Sequence, residues 1–131
     1  RSAPRVGLQS ASVEELSTGA LLDSQCLRTL EREGHVIGLH SHSHPTNLAD
    51  FPKERQGVEY AKNFEVLSGI LAAPPFSMAH PCNLYSAETL AILRDLGIRI
   101  GFRSNMAMQD HSQLEFPRKD SADLLAATQG C

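Results

Sequence analysis

Two stretches, LEREGHVIGLH (residues 30–40) and LRDLGIRIGF (residues 93–102), are built alike. Each reads as the charged end of an amphipathic helix, a glycine, and a short apolar run. Glycine at that place supplies the left-handed residue that stops a helix. A short apolar run after such a stop reads as a buried strand. Helix-to-strand units repeated in this way specify a parallel sheet covered by helices, an α/β fold. Periodicity alone does not choose between an open sheet and a closed barrel.

Signals on either side extend the pattern. Ser12 followed by Glu15 forms a capping box, so a short helix is expected to begin there. Asp23 or Ser24 can cap a second helix that carries Leu27 and Leu30 on one face and stops at Gly34. Val36, Ile37 and Leu39 then make a buried strand. Pro52 suits the first turn of a longer helix, whose stripe is Tyr60, Phe64, Leu67 and Leu71. Residues 76–79 read as a strand, and Ser86 caps a helix that buries Leu90, Leu93 and Leu96 before Gly97. Residues 98–102 form the next strand. The ends, residues 1–10 and 126–131, are expected to be mobile.

Composition narrows the class of function. A chain of 131 residues, 41% hydrophobic, supports one core, so residues 1–131 are read as a single domain or part of one. Its net charge of -3 is scattered, which implies neither a nucleic-acid face nor a polybasic membrane segment. Cys26, Cys82 and Cys131 are too few and too far apart for a disulfide framework, so reduced thiols and a cytoplasmic location are the default. There is no membrane span and no signal-peptide pattern. The first residue is Arg1 rather than Met, which leads us to expect a processed chain or part of a longer gene product.

The run His40-Ser41-His42-Ser43-His44-Pro45 follows directly on a strand, where parallel α/β folds place their chemistry. Histidines four apart project to one side of the backbone, so His40 and His44 can share one metal ion while His42 turns outward. Ser41 and Ser43 can offer hydrogen bonds that fix an imidazole tautomer. Pro45 is expected to hold His44 extended. The bland alternative is a solvated polar loop or a tag remnant, against which stands its setting between a strand and a helix.

These residues resemble the polysaccharide deacetylases of carbohydrate esterase family 4, the NodB-like family. GHVIGLHSHSHPTNL (residues 34–48) is similar to the family's strand and metal motif, and MAHPCNLYSAETLAILRDLGIRIGFRSN (residues 78–105) to its groove segment and the helix and strand after it. The resemblance runs over about residues 22–116. It implies part of a distorted β/α barrel with the N-terminal strands missing, and a divalent metal, zinc first among candidates, on His40 and His44. It also implies removal of N-acetyl groups from amino sugars of a polysaccharide or oligosaccharide, with the backbone amide of Cys82 holding the oxyanion.

Two departures are plain. The family's groove arginine is absent, since Ala79, Pro81, Cys82 and Asn83 occupy that stretch, although Asn83 can adopt the left-handed turn that glycine usually supplies. No TFDDG-like acidic motif occurs in the chain, and with it go a metal ligand and the usual base. His80 is a candidate substrate contact or acid. Asp23, Asp50, Asp110 and Asp120 are the candidates to replace the base, Asp120 foremost. Arg118, Asp120 and Asp123 form either an active-site rim or a surface ion-pair set. A partial barrel leaves sheet edges open, so a missing N-terminal segment or an oligomer partner is expected. Two alternatives stand beside the deacetylase: a related deformylase or amidohydrolase on the same barrel, and a truncated, non-catalytic domain that binds metal or sugar.

Overall fold

The computed structural model describes residues 22–107 and 112–129. The helix expected at Ser12 and the aspartate Asp110 lie outside them. Helix α1 (Ser24–Arg32) starts at Asp23, whose carboxylate accepts the Cys26 amide at 2.7 Å, and Gly34 turns the chain at φ 93°. Helix α2 (Lys53–Ile70) starts at Pro52 and buries Gln56, Tyr60 and Leu67. Strand β1 (Ser77–Ala79) and a 3-10 turn (Pro81–Asn83) lead to α3 (Ala87–Asp95). Ser86 caps α3 in a reciprocal pair with Thr89. Strand β2 (Ile100–Phe102) and helix α4 (Ser121–Gln129) complete the order.

The strands are parallel, as the repeated helix-to-strand grammar requires. Strand β1 pairs β2 in the register Ser77 to Ile100, Met78 to Gly101 and Ala79 to Phe102. Single parallel bridges extend the sheet on both sides, Leu39 to Met78 and Phe102 to Phe116. The spatial order is therefore Leu39, β1, β2, Phe116. Leu39, Met78 and Leu114 from the sheet layer meet Leu48, Tyr60, Leu67, Ile92, Leu93 and Ile98 in one core. A polar link crosses that core. The Thr89 hydroxyl donates to Gln56 Oε1 at 2.5 Å, and Gln56 Nε2 donates to the Phe51 carbonyl at 2.8 Å. Both side chains are fully buried, so pairing avoids the cost of two orphaned polar groups.

Four expectations need correction. The strand of Val36, Ile37 and Leu39 shrinks to the Leu39 bridge, and Val36 is 61% exposed. It borders an open apolar cleft of about 410 Å³, lined by Val36, Leu39, Phe76, Met78, Ile100 and Phe102. The apolar face of α3 is rotated: Thr89, Ile92 and Leu93 are buried, while Leu90 and Leu96 are only partly covered, because α3 packs on α2. Residues 126–129 continue α4 instead of fraying, as Ala- and Leu-rich sequence favours. His44 is not extended; it sits at φ 52° for reasons that belong to the site.

Candidate active site

Parallel strands end on a common edge, and here that edge carries His40, His80 and Arg103. His40 follows Leu39, His80 follows β1, and Arg103 follows β2. The His40 and His44 rings stand 4.9 Å apart between centroids, tilted by 50°, and both residues are exposed. His40 Nδ1 lies 2.8 Å from the Ala79 carbonyl. A carbonyl oxygen only accepts, so Nδ1 carries the proton and the Nε2 lone pair is left for a ligand.

The loop is held from α2, by residues the sequence reading did not single out. Asn63 Oδ1 accepts the His40 amide at 3.0 Å. Glu59 Oε2 accepts the amides of His42 and Ser43 at 3.2 and 2.9 Å, and Oε1 accepts the Ser43 hydroxyl at 2.8 Å. Burial pushes the Glu59 carboxyl up, but the Ser43 bonds and then the His42 amide more than offset it, and the net shift is downward. Ser41 Oγ accepts the His44 amide at 3.1 Å, closing a turn in which Ser41 and His44 have φ of 65° and 52°. The two serines thus bind backbone and Glu59 rather than an imidazole; the tautomer of His40 is set by Ala79. Their signal in the sequence was faint. Asn63 is a polar residue set into the apolar stripe of α2, with Glu59 one turn before it.

Behind this pair lies His80, 1% exposed. Its Nε2 donates to the Leu114 carbonyl at 2.8 Å, its ring stacks on Tyr85 at 4.0 Å, and its Nδ1 has no partner. Burial lowers its pKa, and the His40 and Arg103 charges act the same way. Tyr85 donates to Glu115 Oε1 at 3.0 Å, while Glu115 Oε2 accepts the Ser112 amide and hydroxyl, both at 2.9 Å. Arg103, 2% exposed, gives one guanidinium nitrogen to the Ala107 carbonyl and leaves Nε unpaired. The groove turn survives without its usual glycine. Cys82 and Asn83 both take positive φ, 52° and 57°, and Asn83 Oδ1 accepts the Ser104 amide at 2.9 Å. Cys82 is exposed, and it and Cys26 are free thiols.

The Asp120 carboxylate lies 3.9 Å from the Arg118 guanidinium. Arg118 also donates to the Arg103 carbonyl at 3.1 Å, and Asp123 is exposed in the first turn of α4. Asp23 is spent as a helix cap. Among the described residues no group of three or more His, Cys, Asp or Glu side chains is arranged to hold a metal ion. No helix among them is long and apolar enough to cross a membrane.

The sequence profile described as polysaccharide deacetylase matches residues 11–101 of the 131. No curated protein matches the chain. Among solved structures, it is similar to the deacetylase PplD of Streptococcus pyogenes in complex with acetate. The TM-score is 0.70 and the identity 22%, over 86% of this chain and 53% of that one. It is also similar to the BpsB deacetylase domain from Bordetella bronchiseptica, with TM-score 0.63 and 15% identity over 74% of this chain and 48% of that one. The chain therefore spans about half the length of these structures, and the likeness at such identities is one of fold. The expected fold class, part of a distorted β/α barrel, is borne out.

Proposed function

Because this chain belongs to the polysaccharide deacetylase family, we propose that its sheet edge is the histidine half of a metal-dependent site that removes N-acetyl groups from amino sugars of a polysaccharide or oligosaccharide. The observation that carries this reading is the His40–His44 pair, 4.9 Å apart, with the His40 Nδ1 proton committed to Ala79. The donor set suits a divalent cation, zinc first: imidazole is a zinc ligand, and a carbonyl-held Nδ1–H leaves the other nitrogen free to bind. These two residues would hold the ion. Bound there, it supplies Lewis-acid polarisation of the acetamide carbonyl and a water acidified enough to attack it.

The other roles fall to the chain itself. The Ala79 carbonyl orients His40. The backbone is left-handed at Cys82 and Asn83, and the Cys82 amide would donate to the developing oxyanion, a contribution of about 3 kcal/mol for such a donor. His80, with its Nε2 proton spent on Leu114 and its pKa lowered by burial, leaves Nδ1 as an acceptor, which suits a substrate contact rather than an acid. Asp120 is the acid of this chain proposed to stand in as base, and the sequence has no TFDDG-like motif to do so. Where Asp120 does not fill that role, full activity needs an acidic group other than those at this sheet edge. The two-ligand set equally favours a second reading, a domain that binds metal or acetylated sugar without turnover.

Acetate release from chitin oligosaccharides, with zinc or cobalt supplied, distinguishes them. The chain alone should be at least about a hundredfold slower than a version extended upstream through an acidic motif, since a positioned base contributes that much. Equal turnover by both would end the incomplete-site reading, and its loss in Asp120→Asn would then name the base. No turnover by the extended protein would favour the binding domain.

A further inference from the structure

Resting on that metal reading, we propose that Glu59 and Asn63, one turn apart on α2, are positioning residues that set the distance between His40 and His44. Each binds the loop rather than a histidine ring, Asn63 through one backbone amide and Glu59 through two amides and the Ser43 hydroxyl. Of the five amides from His40 to His44, four are held by side-chain oxygens: His40 by Asn63, His42 and Ser43 by Glu59, and His44 by Ser41. The loop has no strand or helix of its own to hold it, and it contains two non-glycine residues of positive φ, Ser41 and His44. Such a conformation is unfavourable for a residue with a Cβ and persists only when its surroundings over-determine it.

The surroundings here are one helix face. Glu59 spends both oxygens on the loop, and among the described residues no cation stands within ion-pair distance of it. Its charge is thus met by two amides and a hydroxyl. Replacing Glu59 with an apolar residue removes the acceptor of both amides, which frees the segment His42–Ser43. The turn then relaxes toward ordinary negative φ, and His44 swings off His40. Asn63 fixes the other end, because it holds the amide of His40 itself.

The test is zinc titration against a competing chromophoric chelator on the full chain, with the zinc-free melting temperature measured beside it. Glu59→Leu and Asn63→Leu should each bind zinc about 10- to 100-fold more weakly, the range for partners that orient metal ligands. Asn63→Asp keeps the acceptor and should bind as the unsubstituted chain does. Zinc-free melting should be unchanged in all three. Unaltered affinity in Glu59→Leu overturns the proposal, as does Asn63→Asp binding as weakly as Asn63→Leu. A loss of affinity matched by a drop in zinc-free melting overturns it too, because that marks a merely structural role. Failure of the metal reading looks different: the unsubstituted chain would then bind zinc no better than His40→Ala.

Discussion

Tyr60 is fully buried on α2, yet its hydroxyl has no partner, and burial drives the phenol far above its ordinary ionisation range. An orphaned buried hydroxyl costs about 1–3 kcal/mol. Tyr60→Phe should therefore raise stability by about 1 kcal/mol in urea denaturation, and a loss of that size would show an unrecognised partner. His80 makes the pH prediction. Its folded pKa lies below the ordinary value of 6.5, with burial the chief cause. The unfolded chain thus takes a proton that the folded chain resists, and stability falls as pH drops below 6.5 toward the folded value. Glu59 and Glu115 are shifted below 4.5, so their contribution is present above that value and lost only at lower pH. Between about pH 7 and 5 the decline belongs to His80, and His80→Gln should flatten it. An equal slope in that variant would place the proton elsewhere.

At the level of elements, the tightest contact is backbone against backbone. A Cβ on Gly101 of β2 would meet the Leu114 carbonyl oxygen, with Leu114 Cα only 2.8 Å away. Gly101→Ala must push away the segment that pairs at Phe116, at a cost of about 1–3 kcal/mol by thermal unfolding. A neutral result would mean that this segment is not seated. The caps and stops were legible beforehand: Asp23, Ser86, Gly34 and Gly97 act where side-chain oxygens and left-handed glycines act locally. So was the likeness of the two helix-to-strand units. The Val36 strand and the burial of Leu90 failed because they depend on what packs alongside, which periodicity does not record. Glu59 and Asn63 were hidden for the same reason, since their partners lie 16 to 23 residues away. The histidine pair was legible because His40 and His44 lie within one short run. Their turn was not, because it follows from Ser41 closing on the His44 amide.

Across the whole molecule, four parallel strand positions deliver their C-terminal ends to one edge, and the chain covers about half the length of the deacetylase structures it resembles. An open cleft of about 410 Å³ borders the sheet from Val36 to Phe102. That arrangement places two imidazoles and a left-handed turn at the C-terminal ends of the strands. The most direct measurement is anomalous diffraction at the zinc edge from crystals of this chain grown with zinc. The account predicts one zinc site, with the His40 Nε2 atom and a ring nitrogen of His44 both about 2.0–2.1 Å from it. Zinc held by His42, or seated away from the 40–44 loop altogether, would contradict it.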